Sequence, residues 1–288
     1  MAIEIKENEI LANHSTFRIG GPARYFVIVK SKEEILEALD FVKDKEVPFF
    51  ILGGGSNVLF RDEGFNGVII KIHDSRFKIY DSRITCGSGM PLTQLISKTI
   101  EAGLTGLEWG IGIPGTVGGC VAGNCGAYGH NISESVEKVI ALDKEYSKDE
   151  CGFFYRKSKF KDLNNKEIIL EIELKLQKGN KEKSKKEIKD ILIKRKDRIP
   201  PYPSIGCIFK NLPAGKAGPK PLSAGSLIEQ CGLKGVKIGG AQIAEQHCNF
   251  IVNVGHATSD NMLALINLCK QKVKEKFNIN LEEEIVVV

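Results

Sequence analysis

Leu52-Gly53-Gly54-Gly55-Ser56-Asn57-Val58-Leu59 is the stretch on which the fold turns. Three glycines in a row leave the backbone bare, so the main chain can adopt φ > 0 and bring its N–H groups close to a ligand. Ser56 and Asn57 add side-chain hydrogen bonds. A second bare strip, Gly112-Ile113-Pro114-Gly115-Thr116-Val117-Gly118-Gly119, lies further along. Each loop alone reads equally as a plain turn or as a phosphate contact. Together they point to one pyrophosphate-bearing ligand, a dinucleotide.

The chain around the first loop reads as β-α-β. Phe26 to Val29 is a strand by composition, and Ser31-Lys32-Glu33-Glu34 is a capping box that starts a helix. Ile35, Leu36, Leu39 and Val42 give that helix one apolar face. Val47-Pro48 ends it, and Phe49 to Leu52 is a short buried strand that feeds the glycines. Strands are expected at 68–72 and 79–86. Pro91 opens a helix with Leu92, Leu95, Ile96 and Ile100 on one side. Strands follow at 136–142 and 168–176, the latter alternating apolar and charged residues. The lysine-rich stretch after Gly179 is a solvated connecting helix, broken by Pro200-Pro201-Tyr202-Pro203. Beyond it come a strand at 250–254, a helix at 259–277 with Ile266, Cys269, Val273 and Phe277 inward, and a strand at 281–288. The class is α+β with mixed sheets.

With 288 residues the chain has room for more than one domain. Its net charge of +5 collects in the lysine-rich helix, where no aromatic platform accompanies it, so a nucleic-acid partner is not expected. No apolar run reaches membrane length, and Met1-Ala2-Ile3-Glu4-Ile5-Lys6 has no apolar leader core, so a cytoplasmic protein is expected. The eight cysteines are scattered without metal spacing, and neither a metal site nor a disulfide framework is expected.

Gly110-Ile111-Gly112-Ile113-Pro114-Gly115 matches G-x-G-x-x-G in form only. No clean strand leads into it and no acid follows about 20 residues on, so it is not a Rossmann fingerprint. Asn124-Cys125-Gly126-Ala127-Tyr128-Gly129 reads either as a platform for a flat ring or as a tight turn. Arg156 follows Phe154-Tyr155 and is either a ligand-binding arginine or a surface one lying over aromatics. Cys207 is a core thiol or a reactive one. Glu284, next to an apolar terminal run, is exposed at a strand end or held for a purpose.

Taken in order, these stretches resemble the UDP-N-acetylenolpyruvoylglucosamine reductase (MurB) family. The resemblance runs through His14-Ser15-Thr16-Phe17-Arg18-Ile19-Gly20-Gly21-Pro22-Ala23, both glycine loops up to Gly129, and Tyr155-Arg156-Lys157-Ser158. It continues through 204–211, Ala224-Gly225-Ser226-Leu227-Ile228-Glu229, 240–253 and Leu281-Glu282-Glu283-Glu284-Ile285. It implies a PCMH/VAO-type FAD-binding domain in two subdomains, 1–72 and 73–190, followed by a smaller α+β substrate-binding domain, 191–288. Gly53, Gly54, Gly55, Ser56, Asn57, Gly112, Ile113, Pro114, Gly115, Thr116, Gly118, Gly126 and Ala127 would hold noncovalent FAD. NADPH would be the reductant and UDP-N-acetylglucosamine enolpyruvate the substrate, with no obligate protein partner. Arg156 and Glu284 match the family's catalytic arginine and glutamate. Cys207 stands where the family has a proton-donating serine. Tyr155, Arg198, Lys210, Asn211 and His247 are expected to contact substrate. Ile199-Pro200 departs from relatives with a polar residue before proline. About fifty residues separate Arg156 from Cys207, too few for the lid of longer members, so the chain resembles the shorter subtype.

The implied chemistry is coherent with the residues. Hydride arriving at a vinyl CH2 leaves enolate character on the carbon bearing the carboxylate. An arginine pairs bidentately with that carboxylate, and a protonated thiol supplies the proton. Two other readings fit the loops: a different PCMH-type flavoenzyme, such as an alcohol or sugar oxidase with tethered flavin, and a non-catalytic flavin protein.

Overall fold

The structure is a computed structural model that describes residues 3–162, 167–213 and 221–288. Met1 and Ala2 of the opening stretch lie outside the described residues. The chain divides into two compact units: residues 1–6, 25–54 and 67–195 form the first, and 7–24, 55–66 and 196–288 the second.

The first unit carries the β-α-β reading. Helix α1, Lys32–Lys45, starts on Ser31, whose hydroxyl accepts from Glu34 N. The box is not reciprocal, because the Glu34 carboxylate accepts from Lys30 N instead. Glu46, at φ +51, ends the helix, and Phe49–Leu52 then pairs in parallel with Phe65–Ile72. The sheet order is Ile5–Ile10, Pro22–Val29, Phe65–Ile72, Phe49–Leu52. Its α1 face buries Val27, Val29, Ile35, Ala38, Val68 and Ile70.

An antiparallel five-stranded sheet follows, in the order Glu145–Ser147, Val136–Ala141, Ile169–Lys175, Arg83–Gly87, Phe77–Tyr80. The single strand expected at 79–86 is a hairpin. Asp81 takes φ +53 and turns the chain, a role short polar residues accept at little cost. Helix α2, Leu92–Glu101, starts on Pro91 and buries Leu92, Leu95, Ile96 and Ile100, as its period required. Helix α3, Val117–Gly123, was not legible, since its small residues carry no apolar period. Helix α4, Lys181–Lys196, exposes its lysines and buries only Ser184 and Ile191. Ser184 Oγ donates to buried Glu108 at 2.5 Å. Burial works to raise the Glu108 pKa, but hydrogen bonds from Ser184, Thr105 and Gly106 outweigh it and hold the carboxyl below its ordinary value.

The cysteine expectation needs one correction. Cys120 and Cys125 form a disulfide with Cα atoms 4.7 Å apart. Asn124 caps α3 at φ +43 and turns the chain back, so Cys125 N reaches Cys120 O at 2.8 Å. That reversal brings the two side chains within bridging distance, which spacing alone did not reveal. The other six cysteines form no disulfide. Among the described residues no cluster suited to a metal is present.

In the second unit, helices α5, Ala224–Gln230, and α6, Ser259–Phe277, pack on a sheet ordered Lys237–Ile238, Ala241–Ile243, Ile251–Asn253. Thr258 caps α6 in a reciprocal box with Asn261, and Ile266, Cys269 and Val273 are buried. The expected terminal strand is shorter: only Val286–Val287 is regular, paired in parallel with Val58–Leu59. The chain before it is held by isolated bonds to the 208–210 segment instead.

Candidate active site

In the first unit the two glycine loops touch through their backbones. A Cβ on Gly53 would lie 2.6 Å from Thr116 Oγ1, and one on Gly54 would lie 2.6 Å from Gly115 Cα. The parallel strand Phe49–Leu52 delivers the first loop. The second is fixed by Leu92 N donating to Gly115 O at 3.0 Å and Val117 N to Met90 O at 2.8 Å. Thr116 caps α3, its hydroxyl accepting from Gly119 N. Among the described residues, the hydrogen bonds of Gly115 and Thr116 use carbonyls and hydroxyl, which leaves their amides as donors for an anion. Gly118 contributes close approach rather than donation: its N–H goes to Ser88 O at 2.8 Å, and a Cβ there would meet Ser88 Cβ at 2.7 Å. Gly112, at φ +76, has its carbonyl capped by Arg195 Nη2 at 2.9 Å, a contact from α4 that the sequence did not signal. Ser88 was also missed. Its Oγ is buried without a hydrogen-bond partner among the described residues. A bare double strip of backbone beside an unsatisfied hydroxyl fits a dinucleotide cofactor.

Gly126–Ala127 pairs with His130–Asn131 around Tyr128 and Gly129, both at positive φ. The stretch thus makes an exposed two-residue turn of the primed type that suits a hairpin. Gly126 also anchors Arg156, whose Nη2 donates to its carbonyl at 2.6 Å. Arg156 itself sits at φ +54 in a second hairpin, closed by Phe154 N to Lys157 O at 2.9 Å and Lys157 N to Phe154 O at 3.1 Å. A bulky residue in that region is a strained choice that local bonds must hold. Its guanidinium lies 5.4 Å from the Tyr155 ring centroid. Arg156 is half-buried, not a freely solvated surface arginine.

The second unit gathers the remaining candidates. Gly55 takes φ +65, and a Cβ there would strike His14 O at 1.9 Å. Asn57 Nδ2 donates to Glu284 O at 3.1 Å, and Val286 N to Asn57 O at 3.0 Å. Glu284 N in turn donates to Ile208 O at 2.8 Å, so Glu284 runs beside the segment that starts at Cys207. Cys207 is half-buried and bridges Phe250 through its backbone. Asn249, 1% exposed, locks this arrangement: its side chain accepts from Phe209 N at 2.9 Å and donates to Phe209 O at 2.8 Å. Sequence reasoning missed it because a buried asparagine leaves no periodic trace.

The expected substrate contacts fare unevenly. Lys210 forms an ion pair with Glu282. Asn211 Oδ1 accepts from Ala224 N at 3.0 Å, at the start of α5. The His247 ring lies 5.0 Å from that of Phe250, tilted by 58°, and its Nδ1 accepts from Asn249 N at 3.2 Å. Burial holds the His247 imidazole below its ordinary pKa, with the charge of Arg198 acting the same way. Arg198 and Tyr155 are exposed.

An α+β fold whose parallel strand opens into a bare backbone cradle defines a protein that binds a nucleotide cofactor. Residues 23–144 match the FAD binding domain family, and residues 198–288 match the UDP-N-acetylenolpyruvoylglucosamine reductase C-terminal domain family. The chain is 40% identical to the UDP-N-acetylenolpyruvoylglucosamine reductase of Anoxybacillus flavithermus, over 99% of this chain and 94% of that protein. It is 38% identical to the protein of the same name in Caldanaerobacter subterraneus, over 98% and 92%. The crystal structure of the Thermus caldophilus reductase superposes with a TM-score of 0.81 at 35% identity, covering 100% of this chain and 99% of that one. The chain belongs to the UDP-N-acetylenolpyruvoylglucosamine reductase family. Its α+β fold and its FAD-binding region are those the sequence resemblance implied.

Proposed function

We propose that this protein reduces UDP-N-acetylglucosamine enolpyruvate to UDP-N-acetylmuramate, an oxidoreductase step in peptidoglycan precursor synthesis, with noncovalent FAD and NADPH as reductant. The observation that carries this reading is family membership along essentially the whole chain. When bound, FAD supplies hydride chemistry between NADPH and the vinyl carbon of the substrate.

The protein's own residues do the rest. Gly53, Gly54, Gly115 and Thr116 offer backbone to the cofactor pyrophosphate, with Gly55, Ser56, Asn57, Gly112, Ile113, Pro114, Gly118, Gly126 and Ala127 shaping the surroundings. Arg156 pairs with the substrate carboxylate and stabilises the charge that develops next to it. One such preorganised donor is typically worth about 2.7–4 kcal/mol. Cys207 gives the proton to the carbon bearing that carboxylate, and Glu284 polarises the enolpyruvyl group. Tyr155, Arg198, Lys210, Asn211 and His247 contact the rest of the substrate. FAD binding belongs to subdomains 1–72 and 73–190 and substrate binding to 191–288, in the short form without a lid insertion. Among the described residues no helix is long and apolar enough to cross a membrane. We place the protein in the cytoplasm, without a nucleic-acid or obligate protein partner.

NADPH oxidation by the purified protein tests this reading. Fast oxidation is expected only with UDP-N-acetylglucosamine enolpyruvate present, with UDP-N-acetylmuramate as product. Equal rates with and without that substrate would overturn it.

A further inference from the structure

We propose that Cys120–Cys125 is a reversible thiol–disulfide site, reduced by a dithiol, whose state sets how firmly the Arg156 hairpin is held. The disulfide closes the end of α3, the helix that opens at the second glycine loop. The residues it spans are bonded to the arginine hairpin at three points. Ser158 Oγ donates to Ala122 O at 2.7 Å, Asn124 Nδ2 donates to Phe154 O at 2.9 Å, and Arg156 Nη2 donates to Gly126 O at 2.6 Å. Two of those acceptors or donors lie inside the closed loop and the third directly follows it. Arg156 and Asn124 both sit at positive φ, so both depend on their surroundings to keep their conformation. Releasing the staple returns conformational freedom to the segment that those bonds use as an anchor.

The two sulfurs differ in access. Cys120 is buried and Cys125 is half-buried, so exchange starts at Cys125. A thiolate of the dithiol attacks Cys125 Sγ, the S–S bond breaks, and Cys120 leaves as a thiolate that takes a proton. The second thiolate then attacks its partner sulfur in the mixed disulfide and expels the Cys125 thiolate, which is protonated. Two electrons pass from the dithiol, which ends as a cyclic disulfide, to the protein. Exchange with a small disulfide such as oxidised glutathione restores the bond. In a reducing compartment, disulfides that form at all are usually of this transient kind. Three of the remaining thiols compete poorly: burial pushes Cys86 and Cys269 up to about 12 and Cys151 up to about 11.

Thiol counting and hydrogen exchange test this without relying on turnover, so failure here is distinguishable from failure of the proposed reaction, on which only the functional consequence rests. Full-length protein equilibrated with oxidised glutathione, then unfolded and alkylated, is expected to carry six adducts, matching the six cysteines outside the disulfide, and eight after dithiothreitol. Native reduced protein should exchange amides about tenfold faster at 154–158 as well as at 120–126. Cys125→Ala and Cys120→Ser should each show the fast exchange in both conditions. Turnover of the substrate half-reaction should fall on reduction in the wild type and be insensitive in both variants, with flavin reduction by NADPH unchanged. Eight adducts under oxidising conditions, or unchanged exchange at 154–158 on reduction, would overturn the proposal.

Discussion

Arg156 Nη2 donates to the carbonyl of Gly126 at 2.6 Å, joining the turn of one hairpin to a strand of another 30 residues earlier. One edge of the guanidinium is thereby fixed by backbone, and the aromatic face of Tyr155 lies 5.4 Å away. A planar fork held in this way keeps its remaining N–H groups in a set direction, which a flexible ammonium cannot do.

Arg156→Lys is therefore expected to be severe. The charge and the φ +54 backbone are kept, so the change isolates the loss of the fork. Oxidation of reduced flavin by substrate should slow by about 10²-fold or more. Reduction of the flavin by NADPH should be nearly unchanged. Stopped-flow measurement of both half-reactions decides it, and equal losses in the two would make the residue structural.

Gly54→Ala and Gly119→Ala separate the cradle from its helix. A methyl at Gly54 would sit 2.6 Å from Gly115 Cα, backbone against backbone, so the loops must part. At Gly119 the nearest atom is Thr116 Oγ1 at 3.5 Å, ordinary contact. Gly54→Ala should purify largely without FAD. Gly119→Ala should stay yellow and gain roughly 0.5–1 kcal/mol, the usual gain from replacing a helical glycine. The ratio of flavin to protein absorbance, with a thermal melt, measures both. Full FAD occupancy in Gly54→Ala would show that the loop contact is not needed for binding.

Much of this architecture was legible because it is local. Ser31 and the Ile35-Leu39-Val42 stripe announce α1, although Leu36, expected on the same face, is exposed; the alternation in 168–176 announces a half-buried strand. The pairing of Gly53-Gly54 with Gly115-Thr116 follows from two bare loops needing one ligand. What stayed hidden depends on tertiary partners. Asn249 and Ser88 are polar and buried, and nothing in their neighbours marks them as inward. The Cys120–Cys125 bond depends on Asn124 turning left-handed, and the shortened terminal strand on bonds to a segment over seventy residues earlier. Gly118 was read as a ligand contact from its loop, although its amide is already taken by Ser88.

His247 predicts a pH dependence of stability. Burial first, and Arg198 second, lower its pKa in the folded state. The unfolded chain then binds the proton more readily than the fold does. The contribution is thus present above the ordinary histidine pKa of about 6.5 and is lost as pH falls through that value towards the folded pKa. Urea melts of wild type and His247→Gln at about pH 7.5 and about pH 5.5 measure it. The wild type should lose more stability on acidification than the variant. Parallel losses in the two proteins would remove His247 from the account.

Cys207 carries the most specific expectation. Its backbone bridges Phe250, and the next carbonyl, Ile208 O, accepts from Glu284 N at 2.8 Å, so the strand pairing here runs through backbone atoms. Cys207→Ala should therefore fold, bind FAD and accept hydride from NADPH as the wild type does. Removing the proton donor should cut substrate turnover by roughly 10²–10⁴-fold, the usual worth of a positioned acid. Cys207→Ser should keep substantial activity, since a hydroxyl fits the same place and also carries a proton. Thiols ionise in the alkaline range and alcohols do not, so the wild-type rate should fall at high pH where the serine variant's holds. Turnover against pH for the three proteins at saturating substrate is the measurement. An alanine variant as fast as wild type would place Cys207 among the structural cysteines.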